Sequence, residues 1–490
     1  MNILFAAAEA HPFIKTGGLA DVIGALPKAL LAAGHDVRVI LPKYQGIPAL
    51  FKEQMKSEAI TEIHVGWRNQ YCGIESLNYE GITVYFVDNM YYFGGREGIY
   101  GYMDDGERFS FFNRAVLEAL PLIEFQPDVL HCHDWHSAMI PLLLESDYRS
   151  QNFYSQIRTV FTIHNLLYQG IFPYEVLTEL LELDSRYFTY EGVEYYDKVN
   201  FLKGGLVYSD HVTTVSPTYA REIQTDYYGY GLDDLLRHLG HHGKLSGIVN
   251  GIDTESYNPA TDQKIYQPYD QDLTLKRRNK AGLQEELGLP VKPDIPMIAM
   301  VTRLVDMKGL DLVSRVLDEL MYTEDFQFVV LGTGDPAYEH WLMEAANRHP
   351  DNVSVNITFN DALSRKIYAA CDMYLMPSKF EPCGISQLLA LRYGSIPIVR
   401  ETGGLNDTVH AYNEFTGEGN GFTFTNYNAH DMLYTIRRAL SFFNQDDHWT
   451  KITSNAFQGD YSWNVSAEEY IHIYHSIQGV VENEASTDSE

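Results

Sequence analysis

The 490 residues are 45% apolar and 21% charged, the balance of a globular protein too long for one core, so two domains of about 200 residues each are expected. A formal charge of −30 argues against general nucleic-acid binding, which needs a basic face to displace counterions, though a few local cations can still hold a phosphate. Apolar runs such as 295–301 fall far short of the roughly 18 residues that span a bilayer, so no membrane partner is expected. The start, MNILFAAAEAHPF, reads as a strand and not as a leader, and four cysteines without metal or disulfide spacing fit a reducing cytoplasm.

In chain order, short apolar runs at 2–8, 36–41, 82–87, 128–133, 158–164 and 211–216 read as strands. Between the first two, Leu19, Val22, Ile23, Leu26, Leu30 and Ala33 take helical spacing, closed by Gly34. Pro27 falls inside that pattern and is expected to bend or interrupt it. Strand–helix–strand units of this size imply a doubly wound parallel sheet.

The stretch 255–290 is polar and irregular, a hinge region or an inserted helix, and the boundary is expected near 245–250. The strand pattern restarts with 296–303, 326–332, 353–358, 372–377 and 396–401; Val313, Val316, Leu317 and Leu320 mark one helix face. Near the end, Ser466 with Glu469 has the form of a capping box ahead of Tyr470, Ile473, Tyr474 and Ile477. The expected divisions are therefore 1–248, 249–462, a docked helix at 463–480 and an acidic, disordered tail at 481–490.

Two stretches echo one another, KTGGLADV from Lys15 and ETGGLNDTV from Glu401, each following a predicted strand and opening a helix. In the first, Gly17 and Gly18 permit close backbone approach, the helix start offers N–H groups, and Lys15 adds a mobile charge; together they suit a diphosphate. In VTRLVDMKG, Arg303 and Lys308 lie on a strand-end loop, where a guanidinium fork and a point charge match a pyrophosphate. Glu381, before a Pro-Cys-Gly turn, either caps a helix or accepts hydrogen bonds from sugar hydroxyls. His131, His133, Asp134 and His136 have the look of a metal site but spread over a strand face and its loop; Asp270-Gln271-Asp272 sits in the polar linker. No metal is expected at either. His164 and Asn165, ending a central strand, are better placed to line a cleft. The 35 tyrosines are compatible with a glucan surface as well as with ordinary packing.

Taken together, KTGGLADV, HDWHSAMIP, TIHNLLYQG, VNGIDTESYNP, TRLVDMKGLDL, FEPCGISQL and ETGGLNDTV resemble the bacterial glycogen synthases and plant starch synthases, glycosyltransferase family 5, from residue 1 to about 475. The resemblance implies a GT-B fold: two Rossmann-like, doubly wound α/β domains with the active site in the interdomain cleft. The N-terminal domain would serve the acceptor and the C-terminal domain the nucleotide sugar, with the last helix crossing back. It implies transfer of glucose from ADP-glucose to the non-reducing 4-OH of glycogen or another α-1,4-glucan, with retention and without metal or cofactor. By motif, Lys15 and Gly18 approach the donor phosphates and Asp21 orders their loop. Asp134, His164 and Asn165 contact the transferred glucose or acceptor, with the His164 carbonyl near the anomeric carbon. Asn250 belongs to the adenosine region, Arg303 and Lys308 hold the diphosphate, and Glu381 binds glucose hydroxyls flanked by Cys383 and Gly384. The backbone of Thr402, Gly403, Gly404 and Leu405 cradles phosphate. The phosphate ligands of the two domains would engage together only on closure.

Two departures stand out. A broader group of retaining transferases carries a second Glu eight positions after the first, where this chain has Leu389, and Tyr257 stands where the family often has Trp. The residues leave open whether Asp134 acts as a nucleophile or the acceptor attacks from the face the donor phosphate leaves. They also leave open a UDP-glucose donor, whereas a silent glucan-binding protein is disfavoured because Lys15, Arg303, Lys308 and Glu381 are all present. A nicotinamide enzyme is disfavoured because AEAHPFIKTGG replaces G-x-G-x-x-G after the first strand.

Overall fold

The computed structural model describes residues 1–479; the stretch expected to form the acidic tail, 481–490, lies outside the described residues. The chain divides into two compact units. The first takes Met1–Val215, Ala220–Ile248 and the chain from Trp463 onward; the second takes Ser216–Tyr219 and Val249–Ser462.

The first unit is built on β1 (Asn2–Ala6), β2 (Asp36–Pro42), β3 (Lys56–Val65), β4 (Arg68–Tyr79), β5 (Ile82–Asp88), β6 (Val129–His133) and β7 (Arg158–Ile163). The short strands β8 (Ile171–Phe172), β9 (Glu194–Tyr195) and β10 (Lys198–Asn200) form a separate antiparallel sheet, and β11 (His211–Thr214) and β12 (Leu245–Gly247) complete the main one. Its order is β12-β11-β7-β6-β1-β2-β5-β4-β3, parallel up to β5 and antiparallel over the last two. The chain therefore winds outward in opposite directions from β1 and β6, which pair in parallel: Ile3 lies opposite Val129 and Ala6 opposite Cys132. Both strands are buried along nearly their whole length, as helix-covered faces require. The antiparallel hairpin was not foreseen. In β3 the residues KSEAITEIHV are largely exposed, so an edge strand carries little apolar signal.

Helix Gly18–Ala32 runs unbroken through Pro27, against the expected interruption. Proline removes a hydrogen bond and crowds the preceding turn, but here its ring is buried with Leu19, Val22, Ile23, Leu26 and Leu30, and packing of that face outweighs a local cost of about 3 kcal/mol. The last helix, Trp463–Gln478, packs against helix Gly18–Ala32 and β7, burying Tyr470, Ile473 and Tyr474. It starts three residues ahead of the expected capping box, because buried Trp463 extends its apolar face; Ser466 lies in the first turn and does not cap it.

The second unit has one parallel sheet of β13 (Met297–Val301), β14 (Gln327–Leu331), β15 (Val353–Asn356), β16 (Met373–Met376), β17 (Ile396–Arg400) and β18 (Phe422–Phe424), in the order β15-β14-β13-β16-β17-β18. Winding reverses between β13 and β16, where Ile298 pairs with Met373. Val313, Val316, Leu317 and Leu320 are all buried on one face of helix Leu310–Thr323. The polar stretch does contain a helix, Leu273–Glu286, capped by Asp272, whose carboxylate accepts from the N–H groups of Thr274 and Leu275. Two of its lysines are buried: Lys280 pairs with Asp372 at 2.8 Å, and Lys276 donates to the Ala369 carbonyl and Ser395 Oγ. Arg365 lies over the ring of Tyr257 at 3.8 Å, so the residue standing where Trp is usual serves as a cation–π platform.

Candidate active site

In an open parallel sheet, ligands collect beyond the carboxyl ends of the strands where the winding reverses. In the first unit those ends belong to β1 and β6. After β1 the chain passes Glu9 and turns at Lys15–Gly18 into the helix. Lys15, expected to add a mobile charge, pairs with Asp21 at 2.6 Å, the lysine exposed and the carboxylate partly so. An exposed pair of this kind is worth about 0–1 kcal/mol, so Lys15 leaves it cheaply. Gly18 is the informative glycine: a Cβ there would meet nothing within 4 Å, so nothing in the protein requires its absence. The helix carries no side-chain cap at Gly17.

After β6, Asp134 sits at φ 53, a left-handed backbone that few residues other than glycine adopt, and its Oδ1 accepts the His164 N–H at 2.8 Å. Burial raises its carboxyl to about 7, against the pull of the His164 and Asn165 N–H groups. Asp134 and His164, from the ends of neighbouring strands, are thereby locked together. His164 Nε2 lies 3.0 Å from His133 Nδ1, and burial pushes the His164 imidazole down to about 3, so the ring is neutral at pH 7.

His131 and His133 do share a strand face, with ring centroids 4.1 Å apart. His131 lies between Tyr474 Oη at 2.8 Å and Thr162 Oγ1 at 2.6 Å; His136 stacks on Tyr100, and His133 Nε2 and His136 Nδ1 have no hydrogen-bond partner among the described residues. Burial drives His131, His133 and His136 well below the usual histidine range. These are packed neutral rings that support the loop carrying Asp134.

In the second unit the reversal lies between β13 and β16, whose ends carry Arg303 with Lys308 and the Glu381 loop. Arg303 is exposed. Lys308 Nζ contacts Glu381 Oε2 at 2.5 Å, and the same oxygen accepts from Ser378 Oγ at 3.1 Å. Glu381 is 9% exposed, so the pair is largely withdrawn from water. Glu381 lies ahead of helix Ser386–Arg392 and is bound to a cation and a hydroxyl, which sets aside its reading as a helix cap.

Thr402 and the first turn of helix Gly403–Thr408 run against the Glu381 loop. Gly403 has φ 46, and a Cβ on it would lie 1.9 Å from the Glu381 carbonyl; one on Gly404 would lie 2.1 Å from that of Cys383. The Gly404 N–H donates to the Pro382 carbonyl at 3.1 Å. These glycines fit loop to loop. Both copies follow a strand and open a helix, as expected, but their places in the sheets differ: Gly18 follows the sheet-reversal strand β1, whereas Gly403 opens helix Gly403–Thr408 after β17, outside β16. Glu401 is spent on the protein, accepting from Thr423 and Thr425 hydroxyls at 2.6 and 2.8 Å. Cys383 is buried, takes the Asn250 backbone N–H, and has its thiol pushed up to about 12 by burial, which makes it a packing group. Asn250 is buried with its Oδ1 unpartnered among the described residues.

Sequence reasoning missed two supports. Arg400 holds the Glu381 loop by donating to the carbonyls of Ser378 at 2.9 Å and Lys379 at 2.7 Å. Glu9 binds the Thr16 loop. A charged residue within a buried strand or just beyond one was the available signal for both.

Comparison with known proteins agrees with this architecture. The family model "Starch synthase catalytic domain" matches residues 2–238, and "Glycosyl transferases group 1" matches 285–455. The chain is 56% identical to a glycogen synthase of Desulforamulus reducens over 97% of this chain and 98% of that one. It is equally similar, at 56% and the same coverage, to a glycogen synthase of Geobacillus thermodenitrificans. The catalytic domain of starch synthase IV from Arabidopsis thaliana, solved with ADP and acarbose, superposes with a TM-score of 0.89 at 35% identity, covering 98% of this chain and 99% of that one. Sucrose-phosphate synthase of Thermosynechococcus elongatus shares the fold alone, with a TM-score of 0.61 at 16% identity over 98% of this chain and 100% of that one.

The molecule is a glycosyltransferase of the GT-B fold, built from two parallel α/β units with their polar groups at the sheet reversals. More particularly, the chain belongs to the glycogen synthase family.

Proposed function

We propose that this chain elongates glycogen by transferring glucose from ADP-glucose to the non-reducing 4-OH of an α-1,4-glucan, with retention of configuration. The observation that carries this reading is full-length similarity to glycogen synthases at 56% identity, together with a cation–carboxylate pair at one sheet reversal and the Asp134–His164 lock at the other.

In this reading the groups of both units act on one donor. Arg303, Lys308 and Lys15 hold the diphosphate, with the helix start at Gly18 and the Thr402–Leu405 backbone, while Asp21 returns Lys15 to its resting pair. Asn250 serves the adenosine, and Glu381 the glucose hydroxyls, flanked by Cys383 and Gly384. The bond from C1 to the phosphate oxygen breaks, and its electron pair leaves with ADP. The acceptor 4-oxygen bonds to C1 from the same face, and its proton passes to the departing phosphate. Fixed cations at the leaving oxygen would supply several kcal/mol of barrier lowering, on the order of the ~3 lost with one good oxyanion donor. The His164 carbonyl and Asn165 face the sugar, and neutral His164 leaves that region free of a competing cation. Among the described residues no helix is long and apolar enough to cross a membrane, and with four buried free thiols we assign the protein to the cytoplasm.

The test is nucleoside diphosphate release from ADP-glucose and from UDP-glucose, each with and without glycogen, in EDTA. Glycogen-dependent ADP release that survives EDTA is the expected result. Equal release from UDP-glucose would remove the donor assignment, and no release from either would remove the transferase reading.

A further inference from the structure

The turn that leads into helix Gly18–Ala32 is held by a residue outside the Lys-Thr-Gly-Gly motif. Glu9, three residues past the end of β1, is 3% exposed. Its Oε2 accepts the Thr16 backbone N–H at 2.5 Å and the Thr16 hydroxyl at 2.9 Å. Burial raises the Glu9 carboxyl above the usual carboxylate range, the Thr16 and Gly17 donors pulling the other way, and its Oε1 lies 3.8 Å from where a Cβ on Gly17 would stand. One carboxylate thus gathers consecutive donors of the chain entering the helix, the service a capping side chain would give, at a helix whose own cap position is a glycine with none. Glu9 is also within electrostatic range of Asp134 and of Tyr100, whose hydroxyl lies by Thr16. It sits where the β1 loop meets the Asp134 loop.

We propose that Glu9 is a positioning residue that fixes the Thr16–Gly17 turn, so that Lys15 and the open helix start at Gly18 are preset for the phosphates of the nucleotide sugar. The inference rests on the proposed function. A flexible glycine turn must be ordered before it can present a charge and N–H groups together, and the ordering cost is otherwise drawn from donor affinity. The geometry assigns that work to Glu9: the bonds reach the backbone at Thr16, next to Lys15, and leave the face at Gly18 open. Glu9 is not a catalytic residue here, because its bonds go to the loop.

The test compares Glu9→Ala, Glu9→Gln and Thr16→Val in the full-length protein, by calorimetric titration with ADP and by donor and glucan KM. Glu9→Gln keeps one oxygen to accept from the Thr16 N–H and hydroxyl, and loses the charge and the second acceptor oxygen. Glu9→Ala is expected to raise ADP Kd and donor KM at least tenfold with glucan KM within twofold. Glu9→Gln should stay within threefold of the parent, and Thr16→Val should fall between. Glu9→Ala with unchanged ADP Kd, or with a rise in glucan KM alone, overturns the proposal; Glu9→Gln as weak as Glu9→Ala overturns it in favour of a purely electrostatic role. If Glu9→Ala does not fold, Thr16→Val with unchanged Kd serves as the disproof. Parent protein that binds no ADP would instead defeat the functional reading beneath it.

Discussion

Lys308 and Glu381, 73 positions apart, meet at 2.5 Å because β13 and β16 are neighbours across the reversal of the second sheet. Their side chains are only 17% and 11% exposed, so neither charge is well hydrated alone. Lys308→Ala should therefore lower both activity and stability: kcat by about a hundredfold or more, on the scale of a lost oxyanion donor, and unfolding free energy by about 3 kcal/mol. Adding Glu381→Gln should restore the denaturation midpoint and not the rate. Recovery of rate in the double variant would show that the pair is structural only.

Gly18→Ala separates folding from binding. A methyl at this position meets nothing within 4 Å and sits at a helix start, so thermal stability should be unchanged or slightly higher. Donor KM should rise about tenfold if phosphate approaches that backbone. Gly403→Ala is the contrast: at φ 46 and 1.9 Å from the Glu381 carbonyl it should lower the melting temperature whether or not ligand is present.

Asp134 provides a pH signature. Its carboxyl, raised to about 7 by burial, is mostly protonated at pH 6 and mostly ionised at pH 8. If the ionised form is the active one, kcat/KM climbs through pH 7, and Asp134→Asn loses both that limb and at least a hundredfold in rate. Azide rescue of this variant, with a trapped glucosyl adduct in the parent, would replace same-face attack by a covalent route.

Acid stability should be set by the histidines. Burial keeps His131, His133 and His136 well below 6.5 and His164 at about 3 in the folded state, so the unfolded chain binds the extra protons first. Their stabilising effect is complete above pH 6.5 and is lost as pH falls toward 3, at about 1.4 kcal/mol per pH unit for each ring that titrates only on unfolding. Asp134 has the opposite sign: its contribution is fullest below pH 3.8 and fades as pH rises through about 7. Four rings outweigh one carboxyl, so urea midpoints should fall steeply between pH 6.5 and 4. A flat profile would contradict the burial of these rings.

The reach of sequence reasoning follows from which signals are local. Alternating runs of buried strand and amphipathic helix revealed both sheets, because burial on two faces writes itself into consecutive residues such as Ile3–Ala6 or Ile396–Val399. The edge strand Lys56–Val65 was hidden because it is half solvent-facing. Pro27 misled because a helix's tolerance of proline depends on its packing. Motif residues could be named but not paired: nothing in KTGG announces that Lys15 rests on Asp21 or that Glu9 holds Thr16, and no local pattern joins Lys308 to Glu381. Those links are products of topology.

The return of the last helix to the first unit has a consequence for synthesis. Tyr474 Oη meets His131 Nδ1 at 2.8 Å, and helix Trp463–Gln478 covers helix Gly18–Ala32, yet this covering piece is made last. A nascent chain therefore leaves the ribosome with its N-terminal sheet complete in strands but bare on one flank, throughout translation of Val249–Ser462. The second unit, contiguous but for Ser216–Tyr219, has nearly all its parts in hand before the first can close. Premature termination near residue 460 would thus damage the half of the protein that was translated first.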